Sequence, residues 1–401
     1  MLPFDVSEYQ GRIKQTRTLM EKEGIDLLLI TDPANMNYLS GYDAWSFYVH
    51  QMLIIDIHDS QPVWVGRFMD APAAKVTTWM HEANIIGYPD IYVHSDLLHP
   101  MAFIAEVLRK RGNQASRIGV EMDHYYFSAK AFEELKKALP DARFQSADLL
   151  VNRVRMVKSD QELEYMKKAG KLAELAMFNG VQTIRTGNRE CDAAAMIYYH
   201  MIAGTKEWGG DYPAIVPLLP TGENTSIPHL TWTDRKFQEG EAVIVELAGC
   251  CKRYHVPLAR TIAIGPPSQD LLRISSIATE GINRVLDEIK PGMTCGDVEA
   301  VWRMSLQKHG IAKESRLGYS VGLNYPPDWG EHTASIRKGD QTVLQPNMTF
   351  HIIPGLWFER SGVEISETIR VTETGCETLA NYSRELIINS PYVIEEHGEI
   401  S

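Results

Sequence analysis

Two glutamates stand on strand candidates, the first of them inside an otherwise apolar run. Glu246 lies inside Val243-Ile-Val-Glu-Leu-Ala248, and Glu364 inside Gly362-Val-Glu-Ile-Ser-Glu-Thr368. A carboxylate in a buried strand is costly unless it is paired. Glu246 therefore answers either to a salt bridge, for instance with Arg253 or Arg260, or to a functional role. Strand alternation puts Glu364 and Ser366 on one face and Glu367 on the other. His229 sits in Ile227-Pro-His-Leu230, after the turn-rich Thr221-Gly-Glu-Asn-Thr225. Taken singly, His229 reads as a loop histidine and Glu364 as a structural carboxylate.

Other chemistry finds no support. No GxGxxG opens a helix, there is no HExxH, and adjacent Cys250 and Cys251 have the wrong spacing for zinc. Gly318-Tyr-Ser-Val-Gly322 fits Gly-x-Ser-x-Gly, but a nucleophile elbow needs a helix after it. Leu323-Asn-Tyr-Pro-Pro-Asp328 follows instead, and its prolines would break that helix.

The elements that must position these residues fall into two parts. The 401 residues suggest two or three domains. A helix-period stretch at 8–23, the apolar run 26–30 and a hairpin of runs 52–57 and 62–65 open an α/β domain over 1–155. Ser159 and Glu162 form a capping box where a long apolar period begins. From there 156–401 reads as an α+β domain, with helices near 188–202, 269–288 and 295–309. Its clearest strands are 242–248, 260–264, 348–353 and 363–371.

Composition narrows the class. With 40 basic and 52 acidic residues the formal charge is −12, and no Lys/Arg cluster offers a nucleic-acid surface. No apolar run reaches the roughly 18 residues needed to span a bilayer. The N-terminus lacks a signal-peptide core, and five cysteines, an odd number and mostly isolated, read as reduced thiols. The expectation is a cytoplasmic protein without membrane or nucleic-acid partners.

The chain resembles the creatinase–prolidase–aminopeptidase P superfamily, the pita-bread fold, over nearly its whole length. The carriers are Arg153-Val-Arg-Met-Val-Lys-Ser-Asp-Gln-Glu162, Val243-Ile-Val-Glu-Leu-Ala-Gly249 with Ala259-Arg-Thr261, and Val343-Leu-Gln-Pro-Asn-Met-Thr-Phe350. Pro354-Gly355, Gly362-Val-Glu-Ile-Ser-Glu-Thr368 and Asn35-Met-Asn-Tyr-Leu-Ser-Gly41 complete the set. The resemblance implies a creatinase-like N-terminal α/β domain followed by a pita-bread catalytic domain.

The departures are informative. Metallopeptidases of this superfamily hold two metal ions with two aspartates, one histidine and two glutamates. Here those positions carry Glu246, Pro257, Tyr319, Ile353 and Ser366. Such a set cannot build a dinuclear site, so neither metal nor other cofactor is expected. Creatinase is a metal-free member with a histidine at the position of His229. Its site glutamates fall on Ile353 and about Ala259, its further histidines on Tyr319 and Ser366, and its substrate-side arginine on about Gly330.

Stretches 209–224, 226–235 and 325–333 resemble a metal-free branch that opens the cyclic amidine ectoine. That resemblance implies an amidinium bracketed by Glu246 and Glu364. His229 would move protons. Trp329, Phe47 and Trp45 would form walls, and Tyr319, His332 and His255 would donate to the substrate carboxylate. It also implies a homodimer in which the N-terminal domain of one subunit closes over the other's site near Phe47. Two rivals stand beside it. One is a creatinase-like amidinohydrolase acting on an acyclic guanidino acid. The other is a catalytically inert pita-bread domain that binds partners. A lyase acting on a sulfonium acid resembles members that keep their metal ligands.

Overall fold

A computed structural model describes residues 2–390 of the chain. It divides into one unit ending at Arg155 and a second beginning at Met156. The tail of the expected second domain, 391–401, lies outside the described residues.

In the first unit the order is α1 (Val6–Glu23), β1 (Leu27–Ile30), α2 (Pro33–Ser40), β2 (Met52–Asp56), β3 (Val63–Arg67) and α3 (Ala71–Thr77). Then come β4 (Ile85–Tyr88), α4 (Pro100–Lys110), β5 (Arg117–Val120), α5 (Ala129–Ala138), β6 (Arg143–Ser146) and α6 (Leu150–Arg155). The strands form one sheet in the order β4-β3-β2-β1-β5-β6. β2 and β3 pair antiparallel as a hairpin, and β1 runs parallel to β5. Alternation sends Leu28 and Ile30 into one apolar core and Leu27 and Leu29 into another. Helices therefore cover both faces of the sheet, which is why β1 reads as an unbroken apolar run. The segment at Asn35 has a structural duty. Its side-chain amide donates to Glu121 Oε1 at 2.6 Å and its oxygen accepts from Arg155 at 2.7 Å.

The second unit opens with α7 (Asp160–Thr183) and α8 (Glu190–Ala203). The Ser159–Glu162 capping box is present in both directions. A long hairpin follows, β7 (Ala242–Cys251) and β8 (Tyr254–Ile264), in full antiparallel register. Gly249 lets α7 lie directly on β7, since a Cβ there would come within 1.9 Å of the Ala169 carbonyl oxygen. α9 (Gln269–Glu288) and α10 (Cys295–Gln307) precede β9 (Gly318–Val321), β10 (Gly330–Ile336) and β11 (Thr349–Ile352). The remainder is β12 (Gly355–Trp357), β13 (Gly362–Glu364), β14 (Glu367–Val371), β15 (Cys376–Thr378) and β16 (Ile387–Asn389). A five-stranded sheet runs β10-β9-β11-β14-β15. Ile274 and Ile282 of α9 and Trp302 of α10 share one core with Phe350 and Ile369 of that sheet.

One expected strand is two. The run 363–371 breaks at Ile365-Ser366: β13 pairs with β12, while β14 pairs with β11. The break frees Ser366 for hydrogen bonds across to β8 rather than along a ladder. Ser320 lies on β9, and Thr333 holds its hydroxyl at 2.7 Å with no helix following, so it is not an elbow nucleophile. All five cysteines are free. Among the described residues no helix is long and apolar enough to cross a membrane.

Candidate active site

Register decides where Glu246 points. It faces Ala259 across β7–β8, and cross-strand partners share a face. Arg260, the next residue along β8, therefore points to the other face. There it pairs with Glu367 at 2.6 Å and donates to the carbonyls of Ser366 and Tyr382 at 2.6 and 2.8 Å. Arg253 sits in the turn of the hairpin, its guanidinium carbon 3.7 Å over the Tyr212 ring. Neither arginine is an ion partner of Glu246, so the salt-bridge explanation for that carboxylate falls away.

Glu364 arrives from the other side. The Thr261 hydroxyl fixes its backbone, accepting from the Glu364 N–H at 2.9 Å and donating to its carbonyl at 2.9 Å. Its Oε1 is buried without a hydrogen-bond partner. Across β12–β13 it faces Gly355, whose carbonyl accepts from Lys313 Nζ. That ammonium also lies 4.6 Å from the Trp357 ring centroid.

Glu246 and Glu364 line one cavity of about 480 Å³ together with His229, Tyr319 and Trp329. Ile215, Leu218, Pro228, Ile353 and Trp357 supply its apolar wall, and Ser315, Arg316 and Asp328 its remaining polar lining. His229 is exposed, from a loop that follows a short 3₁₀ turn.

Burial, then the proximity of Glu364 and Asp328, drives the Glu246 carboxyl well above the ordinary carboxylate range. Burial raises Glu364 to about 7, with the Lys313 charge opposing the rise. Burial also works against ionisation of Asp328, but hydrogen bonds from His332 and the Gly330 N–H outweigh it and hold Asp328 low. Asp328 is thus the carboxyl of the cavity held in the ionised form, while Glu246 and Glu364 are carboxyls that a bound cation would help to ionise.

The remaining expected residues divide. Trp329 donates its indole N–H to the Tyr319 hydroxyl at 2.8 Å, so these two walls are locked together. His332 is not among the lining residues; its Nε2 lies 2.6 Å from Asp328 Oδ2. His255 is not among the lining residues either. Its Nε2 accepts the Ala214 N–H at 2.8 Å, bracing the loop that carries Ile215 and Leu218. Trp45 and Phe47 belong to the first unit and are not among the lining residues, all of which belong to the second. Their ring centroids are 4.8 Å apart.

Sequence reading passed over Asp328, Arg316, Lys313 and His351. His351 carried the clearest signal, a lone imidazole in the apolar run 348–353. Its Nδ1 lies 3.0 Å from the Tyr319 hydroxyl and its Nε2 2.7 Å from Ser366 Oγ.

The donor set does not fit a dinuclear metal centre. Tyr319 and Ser366 are engaged with His351, and burial followed by the Glu246 charge pushes the Tyr319 phenol up, away from a phenolate ligand. Pro257 is a ladder partner of Ala248, and Ile353 offers no donor atom. Among the described residues no group of three or more His, Cys, Asp or Glu side chains could hold a metal ion.

This fold and cavity define a hydrolase of the pita-bread class with a creatinase-type first domain. Residues 164–373 match metallopeptidase family M24 and residues 12–157 match the Creatinase/Prolidase N-terminal domain, and the chain belongs to this family. It is 47% identical to an ectoine hydrolase of Halomonas elongata over 96% of this chain and 98% of that one. It is 26% identical to a Xaa-Pro dipeptidase of Pyrococcus furiosus over 94% of this chain and 99% of that protein. Among solved structures, a Xaa-Pro dipeptidase from Bacillus anthracis superposes with a TM-score of 0.80 at 23% identity, covering 95% of this chain and all of that one. The last likeness concerns the fold alone.

Proposed function

We propose that this enzyme hydrolyses the ring C–N bond of ectoine without metal, giving N-acetyl-2,4-diaminobutyrate. The observation that carries the reading is the pair Glu246 and Glu364: two buried carboxyls in one cavity, neither ion-paired with an arginine. An amidinium spreads one positive charge over N–C–N, and two carboxylates suit it. The 47% identity to a protein named for ectoine hydrolysis supports the same substrate. The lack of fit between the donor set and a dinuclear centre supports the metal-free route.

The bound cation draws the proton from the carboxyl pair by lowering both pKa values. Glu246 then attacks the amidine carbon directly, or takes a proton from water as the water oxygen bonds to that carbon. The tetrahedral carbon expels one ring nitrogen, and His229 relays to it the proton that the water gives up; in the direct route that water then cleaves the bond between Glu246 and the carbon and restores the carboxylate. The Glu364 carboxylate holds the remaining N–H groups and offsets their charge. Tyr319 and Trp329 line the pocket. In the same reading the assembly is a homodimer in which Trp45 and Phe47 of one subunit approach the other's site.

The test is proton NMR of ectoine incubated with chelator-treated protein, with metal content measured on the same sample. Ring opening in metal-free protein is the expected result. Activity that returns only when metal is restored would overturn the metal-free route. Inert ectoine in both conditions would overturn the substrate assignment.

A further inference from the structure

The cavity is electrostatically one-sided. Three carboxylic acids face it, Glu246, Glu364 and Asp328. Among the described residues that line it, Arg316 is the sole arginine or lysine. Arg316 lies just before β9 in an exposed position. Its guanidinium carbon stacks 4.3 Å from the Tyr319 ring centroid, which orients the planar fork along the wall. Nη1 makes a long hydrogen bond to Ser335 Oγ at 3.4 Å. Asp328, the lining carboxylate that the Arg316 charge helps to keep ionised, is already engaged by His332 at 2.6 Å and by the Gly330 N–H at 2.9 Å. The fork therefore keeps donors for a ligand.

We propose that Arg316 is the subsite for the substrate's carboxylate, making the enzyme selective for cyclic amidines that bear an acid group over those that do not. The inference rests on the amidine reading above and deepens it. A zwitterionic ligand needs opposite charges at its two ends. Glu246 and Glu364 meet the amidinium, and a planar guanidinium meets a carboxylate with two parallel N–H···O bonds, which a lysine cannot reproduce. Tyr319 joins the two ends physically, because it stacks on Arg316 and hydrogen-bonds to Trp329. The arrangement also sets the ligand's polarity: acid toward the exposed arginine, amidine toward the buried glutamates.

The experiment compares ectoine with 2-methyl-1,4,5,6-tetrahydropyrimidine, the same ring without the carboxylate. Each is tested as a substrate, and the analogue also as an inhibitor of ectoine turnover. Proteins are wild type, Arg316→Met and Arg316→Lys, each checked for an unchanged melting temperature. Wild type should prefer ectoine in kcat/KM. Arg316→Met should raise the KM for ectoine about 10- to 100-fold, the loss expected for charged hydrogen bonds. The inhibition constant of the analogue should stay within about twofold, and Arg316→Lys should recover part of the loss. Equal losses for both compounds, or an unchanged KM for ectoine, would overturn the subsite. A wild-type enzyme inert toward both amidines would instead overturn the reading on which the subsite rests.

Discussion

Tyr319 and Ser366 are joined through one buried imidazole, His351, which lies 3.0 Å from the phenol and 2.7 Å from the serine hydroxyl. The chain extends at both ends, since the Trp329 indole donates to Tyr319 and Ser366 Oγ accepts the Ala259 N–H at 2.7 Å. Burial, with a smaller push from Arg316, lowers His351 to about 3, so the imidazole is neutral at working pH. A neutral histidine carries one ring proton, and its choice of nitrogen decides whether the Tyr319 proton points at His351 or is released toward the cavity. Tyr319 and Ser366, the positions at which the family resemblance implies metal ligands in the metallopeptidases, are here tied into an uncharged hydrogen-bonded chain.

Breaking that chain should loosen the wall before it stops the chemistry. His351→Leu leaves the Tyr319 and Ser366 hydroxyls short of a partner in a buried site. It should cost about 1–3 kcal/mol of stability and raise KM more than it lowers kcat. Denaturant unfolding and steady-state kinetics on the same preparation check both. A variant as stable as wild type would show that the chain contributes nothing.

Glu246→Gln should abolish turnover, by about 10²- to 10⁴-fold or more, while the protein still folds. Quenched-flow or NMR assays at high enzyme concentration read the residual rate. Near-normal activity would remove Glu246 from the mechanism.

The same carboxyls should make stability and activity move in opposite directions with pH. Glu246 and Glu364 hold their protons more tightly in the folded chain than in the unfolded one. The folded protein therefore binds more protons above the ordinary carboxyl range. Stability is fully present below about pH 4.5 and declines as pH rises through about 7, the Glu364 value. For Glu364 alone the loss is on the order of 3 kcal/mol. Glu364→Gln should therefore melt higher than wild type at pH 8, and the difference should vanish near pH 4. Meanwhile kcat/KM should rise through neutrality, as the amidinium-binding carboxylate ionises.

Lys313 offers a separate handle on that profile. Its charge opposes the upward push on Glu364. Burial lowers the ammonium itself to about 8. Lys313→Met should raise the Glu364 pKa further, move the acid limb of kcat/KM to higher pH, and cut the rate several-fold at pH 7. A pH–rate profile distinguishes this from simple loss of fold, which would lower the whole curve without displacing it.

Much of the frame was legible along the chain. The Ser159–Glu162 capping box announces α7, and the two strand-like runs 52–57 and 62–65, split by a polar stretch, announce the β2–β3 hairpin. Glu246 could be singled out because a carboxylate inside an apolar strand is a local anomaly that needs no partner to be noticed, whereas Glu364 gained its role only from the family resemblance. Their partners could not be read the same way. Arg260 stands nearer to Glu246 in sequence than to Glu367, yet it pairs with Glu367, because the β7–β8 register sets Glu246 opposite Ala259 and turns Arg260 to the other face. His255 offered the right chemistry for a carboxylate, but its position on β8 spends Nε2 on the Ala214 N–H.

The amino-acid sequence by itself determined most of the elements, the family and the anomaly of Glu246, since propensity, capping and hydrophobic period act over neighbours a few residues apart. Only the tertiary structure decided that strand 363–371 breaks at Ile365-Ser366, that His351 bridges Tyr319 and Ser366, and that Arg316 lines the cavity. These outcomes depend on which strands come to lie side by side. Tyr319 meets His351 through the β9–β11 pairing, 32 residues away. Electrostatics and hydrogen bonding act through such spatial neighbours, whose distance in sequence carries no signal of their meeting.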